Sequence, residues 1–122
     1  MLKSYRDLLV WQRAIEMVIL VYRITAEFPR HEIYGLTSQT RRASVSVPSN
    51  IAEGYGRGTR REYIQFLSIA QGSLKELETQ AILAERLNYS PAAQIEKLLS
   101  ETEQVGKMLG SLIRSLKTEG SR

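Results

Sequence analysis

The chain contains 122 residues, of which 43% are hydrophobic and 7% aromatic, and it has no cysteine. A chain of this length buries an ordinary core as one domain, and the lack of cysteine excludes disulfide frameworks, cysteine zinc sites and thiol catalysis. The longest purely apolar run, residues 17–22, is far shorter than the about 20 residues that cross a bilayer. Because no basic stretch followed by an apolar signal core opens the sequence, we expect a soluble cytoplasmic protein with no membrane partner.

The formal net charge of +4 is unevenly distributed along the chain. Residues 1–61 contain ten Lys or Arg against five Asp or Glu, whereas residues 62–122 contain seven against eight. Between positions 41 and 61 the only acid is Glu53, and the cations are Arg41, Arg42, Arg57, Arg60 and Arg61. Clustered arginines attract phosphate through a long-range field and bidentate hydrogen bonds. These five arginines are therefore the candidate nucleic-acid-binding residues.

The first predicted element is a helix of about twenty residues. Its apolar side chains recur in steps of three and four, at Leu8, Trp11, Ile15, Val18, Tyr22 and, in the same register, Thr25. Pro29 is expected to end it at Phe28, since a proline disfavours helical geometry in the residue before it.

The stretch SVSVPSNIAEGYGRGTRR, residues 44–61, allows two readings. Its first four residues alternate like a β-strand, but no second strand is available for pairing, and a lone strand leaves its backbone unsatisfied. A helix over 36–54 instead places Leu36, Thr40, Ala43, Val47 and Ile51 on one face. Pro48 inside this helix removes a backbone hydrogen bond at a penalty of about 3 kcal/mol. Gly54 or Gly56 is expected near the C-terminal cap.

Two more helices follow. Thr59, with Glu62 three residues later, predicts a capped helix start, and the apolar face is Tyr63, Leu67, Ala70, Leu74, Leu77, Ala81 and Ala84. Ser90 and Pro91 predict the start of the last helix, with Ile95, Leu98, Thr102, Val105, Leu109, Leu112 and Leu116 on one face. The sequence thus predicts an all-α, antiparallel up-down-up-down four-helix bundle over residues 1–117, followed by a short flexible tail at 118–122.

Two surfaces of this bundle are not explained by its core. The first predicted helix is apolar all round in residues 17–22, and the second carries another apolar stripe opposite its core face, so we expect a homo-oligomer. The candidate interface residues are Ile19, Leu20, Val45, Pro48, Ala52 and Tyr55. The alternative is that a small bundle simply exposes some aliphatic side chains.

The second surface is a polar stripe on the second predicted helix. It contains Gln39, Ser46, Asn50 and Glu53 together with Arg42, all spaced three or four residues apart. The third predicted helix carries small residues at Ser68, Gly72 and Ser73. Small side chains let backbones approach, so we predict a tight crossing of these two helices with the polar stripe at its edge.

The segments DLLVWQRA, YGLTSQTRRASVSVPSNIAEGYGRG and EYIQFLSIAQGSLKELETQ resemble a family encoded in intervening sequences of bacterial 23S rRNA genes. The family is sometimes labelled a ribosomal protein, and the resemblance spans roughly residues 5–117. It implies an up-down bundle that assembles as a homopentamer, in an RNA context. The family is similar in architecture to the accessory protein of diversity-generating retroelements, a basic pentameric barrel that engages nucleic acid and a reverse transcriptase. In this chain Thr40 stands where the family usually carries an aliphatic residue.

The sequence offers few residues that could form a catalytic site. The only histidine, His31, falls in a predicted turn, no Glu-x-x-His pair occurs, and GYGRG lacks the Lys-Ser/Thr and preceding strand of a phosphate-binding loop. We expect no enzyme, no metal and no cofactor. Two hypotheses remain open: a homo-oligomer that binds nucleic acid, either RNA, which the family resemblance favours, or DNA, or a protein-interaction scaffold for a nucleic-acid enzyme such as a reverse transcriptase. Tyr55 and Tyr63 are the only aromatic side chains near the arginines for stacking on bases.

Overall fold

The protein is described by a computed structural model that covers residues 2–120, with side chains to residue 118. Its four helices are α1 (Leu9–Thr25), α2 (Leu36–Tyr55), α3 (Arg60–Arg86) and α4 (Ala92–Gly120), with single 3-10 turns at Tyr5–Asp7 and Arg30–Glu32. The predicted all-α four-helix bundle is confirmed. The predicted boundary at residue 117 falls inside α4, and residues 121–122 of the predicted tail lie outside the described residues.

Each helix packs against the next one in the chain, and α4 closes the bundle against α1. Gly110 lies near Gln71 and Gly106 near Leu74, so residue numbers fall along α3 as they rise along α4, and the two run antiparallel. The Tyr5–Asp7 turn contacts both α1 and α2. The start of α1, the junction of α2 with α3 and the last turns of α4 therefore share one end of the bundle.

Side chains hold the starts of α2 and α3, whereas α1 has no side-chain cap. Thr59 Oγ1 accepts a hydrogen bond of 3.1 Å from the Glu62 amide, which confirms the predicted start of α3. At the start of α2, Glu32 Oε1 accepts from the Leu36 amide at 2.9 Å, a cap that the sequence analysis missed. That hydrogen bond, together with one from the Tyr89 hydroxyl, holds the pKa of Glu32 below its ordinary value.

Three of the four predicted core faces are confirmed. The buried residues include Val47 and Ile51 on α2, Leu67 and Leu77 on α3, and Val105 on α4. Thr40 is buried, and its hydroxyl group remains hydrogen-bonded because Oγ1 donates to the Leu36 carbonyl at 2.6 Å.

The predicted core face of the first helix is right at its two ends, where Leu8 and Thr25 are buried, and wrong between them. The buried positions of α1 are Val10, Ala14, Met17, Val21, Ile24 and Thr25, whereas Trp11, Ile15 and Val18 are half-buried and Tyr22 is exposed. Because residues 17–22 are all apolar, the sequence pattern does not distinguish the buried side of α1 from its outer side.

The close approach of α2 and α3 is present, but two of the small residues predicted to make it do not take part: Ser68 is exposed, and a Cβ added to Gly72 would meet nothing within 4 Å. A Cβ placed on Gly54 would lie 2.8 Å from Phe66 Cβ, closer than real Cβ atoms approach one another. Further along the same helix pair, Ser73 Oγ donates to Ser46 Oγ at 2.9 Å. The absence of a side chain at Gly54 therefore allows α2 and α3 to approach this closely. Gly56 is the C-cap of α2, but it is right-handed, and no glycine of the described chain has a positive φ.

We predict opposite effects for two glycine substitutions. Gly54→Ala should lower the free energy of unfolding by about 1–3 kcal/mol, because the new methyl group forces α2 and α3 apart. Gly72→Ala is the matched control: an added Cβ meets nothing within 4 Å, and alanine should raise helix stability by about 0.5–1 kcal/mol. Urea unfolding at one fixed protein concentration measures both, and equal effects would contradict the assignment.

Candidate nucleic-acid interface

The five candidate arginines do not form one surface. Arg41 and Arg42 lie near the start of α2, and Arg57, Arg60 and Arg61 lie after its end. Fourteen residues separate Arg41 from Tyr55, which at 1.5 Å per residue is about 21 Å of helix. The expectation of a single five-arginine cluster is thus corrected: neighbours in the sequence are separated by the length of α2.

Arg41 is held inside the chain. Its Nε donates to Thr25 Oγ1 at 2.8 Å, and its guanidinium carbon lies 4.5 Å from the centre of the Tyr22 ring. Both contacts join α2 to the last turns of α1, so Arg41 supports the packing of these helices. Arg42 is exposed, and its side chain has no hydrogen bond or ion pair within the described part of the chain.

The polar stripe of α2 is also used internally. Asn50 Nδ2 donates to the Ser46 carbonyl at 2.7 Å and to Ser46 Oγ at 2.9 Å. Glu53 pairs with Arg57 Nη2 at 3.1 Å. Gln39 and Arg42, both exposed, take no part in these contacts. The middle of the stripe, at Ser46 and Asn50, therefore supports the packing of α2 on α3, and Glu53 positions Arg57.

Positive charge gathers where α2 meets α3. We call this the cationic end and define it by Lys3, Arg6, Arg57, Arg60, Arg61, Arg114 and Lys117. Among the side chains that the structure describes, the acids at this end are Asp7, Glu53 and Glu62, so seven cations face three acids. In the remaining sequence ten cations balance ten acids. The whole formal charge of +4 thus resides at one end of the bundle.

The acids of the cationic end are occupied by local contacts. Asp7 Oδ2 accepts from the amides of Lys3 and Ser4, at 2.8 and 3.2 Å. Glu62 Oε1 accepts from the Thr59 hydroxyl at 3.1 Å. Glu53 pairs with Arg57. Among the described side chains, this end therefore keeps a formal surplus of cations over acids.

The two tyrosines near the arginines pack against each other and against the core. Tyr55 and Tyr63 meet edge to face, with ring centres 6.0 Å apart, and both are partly buried against the core. Burial, with a smaller contribution from Tyr55, raises the pKa of Tyr63 to about 12. Stacking of bases on these two rings, which the sequence left open, would compete with their contact with each other and with the core.

Four cations of this end were missed by the sequence analysis: Lys3, Arg6, Arg114 and Lys117. They are far from residues 57–61 in the chain, and only the antiparallel order of the helices brings them together. Assigning every charge to an end of the predicted bundle would have revealed them.

The predicted interface residues differ in their exposure and fall into three groups. Ile19 and Val45 are each 39% exposed. Leu20, Ala52 and Tyr55 are half-buried, and Pro48 is already buried within the single chain, which leaves it out of any outer surface. Tyr22, Ile33 and Val45 line a groove of about 510 Å³ between α1 and α2. We call Tyr22, Ile33 and Val45 the α1–α2 apolar strip; Ile19 instead lines a groove of about 310 Å³ between α1 and α4.

A second groove, of about 800 Å³, lies between α3 and α4 and includes Gly72, Leu74, Ile82, Leu99 and Gly106. No cluster of His, Asp or Glu suited to a metal ion occurs within residues 2–120. In that same range, none of the helices combines the length and the apolar character that a bilayer crossing requires.

We predict that Arg41 and Arg42 differ in their effect on stability. Arg41→Ala should lower the free energy of unfolding by about 1–2 kcal/mol, because a charged hydrogen bond and a ring contact are lost. Arg42→Ala, the control with the same change of charge, should stay within about 0.5 kcal/mol of the wild type. Urea titration compares them, and a larger loss for Arg42→Ala would contradict this account.

Comparison with known proteins agrees with the fold. Residues 6–111 match the family described as 23S rRNA-intervening sequence protein. A crystal structure from Bacteroides thetaiotaomicron, of a protein with unknown function from the S23 ribosomal protein family, superposes with a TM-score of 0.80 at 23% identity over 86% of this chain and 95% of that one. No curated protein matches. The chain belongs to the family of 23S rRNA-intervening sequence proteins.

Proposed function

We propose that this protein is a non-enzymatic homo-oligomer that binds RNA through the cationic end of its bundle. The observation that carries the proposal is the surplus of seven cations over three acids at that end. Surplus cations on a folded surface bind phosphate chiefly by releasing counterions. The family's description ties it to 23S rRNA, which favours RNA as the ligand.

The position of two arginines argues against a purely structural role. Arg60 and Arg61 open α3, where the helix macrodipole is positive and acidic side chains are the stabilising choice. Cations there oppose the dipole, whereas a bound phosphate would gain from both the guanidinium groups and the helix terminus. Arg114 and Lys117 are in the last two turns of α4, where the dipole itself favours them. The first turn of α3 is therefore the stronger sign of a ligand.

Self-association would multiply this charge. The α1–α2 apolar strip and the α3–α4 groove lie on opposite sides of the bundle, and contact between two different surfaces produces a ring when the rotation closes. Each added copy brings another cationic end to the same assembly. We propose five copies, the number that the family resemblance implies.

A protein-interaction scaffold is the second candidate, and one observation favours it. At the end opposite the cations, Tyr34 is 95% exposed and Ile33 is 55% exposed. Exposed large side chains at a bundle end suit a partner protein, such as the nucleic-acid enzyme of the adaptor hypothesis. Loss of partner binding in Tyr34→Ala, with RNA binding unchanged, would support this second role.

We predict that Arg57→Ala, Arg60→Ala and Arg61→Ala together weaken RNA binding about tenfold or more at ~50 mM salt and flatten its salt dependence. The control is Arg23→Ala, Arg30→Ala and Arg86→Ala, which removes equal charge from exposed positions at the other end. Fluorescence anisotropy over a salt series measures both variants.

The folding stability of a single-arginine variant provides a second test. Arg61 is exposed and opposes the α3 dipole, so Arg61→Ala should fold at least as stably as the wild type while binding RNA less tightly. Equal losses of affinity in the two triple variants, or no binding to RNA at ~50 mM salt, would contradict the proposed function.

We predict that Ile19→Glu with Val45→Glu reduces the oligomer to the 13.9 kDa chain, because two carboxylates would be buried in an apolar contact. Gln104→Glu on the exposed side of α4 is the control and should retain the assembly. Multi-angle light scattering measures the masses. A wild type that is itself a monomer in dilute solution would refute the oligomer.

A further inference from the structure

We propose that the cationic end selects double-stranded RNA, held through its phosphates, over unpaired strands. This inference rests on the proposed function and specifies the ligand of the same site. Its basis is a combination of features at that end: a surplus of cations on several helices, and aromatic rings that are partly buried and in contact with one another or with an arginine.

The aromatic side chains near the cationic end are occupied by one another or by an arginine. Tyr5 and Trp11 meet edge to face at 5.3 Å, as Tyr55 and Tyr63 do at 6.0 Å. The guanidinium carbon of Arg57 lies 4.9 Å from the centre of the Phe66 ring. The aromatic side chains that are exposed in the described chain are Tyr22 and Tyr34, and both lie towards the opposite end.

This arrangement disfavours unpaired strands. Proteins that hold single strands combine a basic groove with exposed rings on which successive bases stack. Without such rings, a flexible strand must be ordered by phosphate contacts alone. In a duplex the bases are already stacked on one another, so a duplex does not need protein rings to stack on.

The placement of the cations favours a duplex. They come from the segment before α1, the junction of α2 with α3, and the last turns of α4, so the packing of separate helices fixes their spacing. A duplex also presents its phosphates at fixed spacing, with about one negative charge per 1.7 Å of axis. A duplex therefore loses less entropy when it presents its phosphates to these cations than a flexible strand does. Since phosphates carry no base identity, recognition should be independent of sequence.

The test compares RNA probes of about 20 base pairs with their two separate strands by fluorescence anisotropy, using the wild-type protein over a salt series. We expect the duplex to bind at least about tenfold more tightly than either strand, and duplexes of unrelated sequence to agree within about twofold. The matched variant is Tyr55→Leu, which removes a ring near the arginines but no charge, and it should leave the ratio of duplex to strand affinity unchanged.

The outcomes separate the two proposals. Equal or tighter binding of the single strands would overturn the duplex preference and leave the proposed function standing. A selective loss of strand binding in Tyr55→Leu would also overturn it, since a base would then be stacking on that ring. If neither probe binds at ~50 mM salt, both proposals fail together.

Discussion

The close contact between α2 and α3 is the constraint on which the rest of this bundle depends. At Gly54 the two helices approach until no side chain fits between them, and Ser46 and Ser73 join them again further along. The short connection between the helices is thereby held against the bundle, and Arg57, Arg60 and Arg61 with it. From there α4 packs along α3 and closes on α1, where Arg13 pairs with Glu101 at 2.9 Å.

The same antiparallel order determines where the charge lies. Along the sides of the bundle several cations are paired with acids, as Lys75 is with Glu78 and Lys107 with Glu103. At the cationic end the acids are held by backbone amides, a hydroxyl and a single arginine, and the surplus remains. Arginines in the first turn of α3 lower helix stability, because they face the positive end of its dipole. A bound polyanion turns that unfavourable arrangement into a favourable one.

The sequence predicts much of this fold because three helices have a clear polar side. Steps of three and four residues located the core of α2, α3 and α4, including Ile51 and Leu77. The same reasoning failed for α1, where Met17 and Val21 are buried but their apolar neighbours are not, since pattern alone cannot choose among equally apolar faces. It also grouped Arg41 with Arg57, because nearness in sequence was read as nearness in space. Lys117 joins the cationic end only through the fold.

The central claim is that RNA contacts the junction of α2 with α3. Photo-crosslinking of RNA carrying 4-thiouridine, followed by peptide mapping by mass spectrometry, tests it most directly and needs no substitution in the protein. The account predicts cross-links concentrated in peptides that contain residues 53–66 and the last turns of α4. Cross-links centred on residues 30–42, at the opposite end, or spread evenly over the bundle would contradict it.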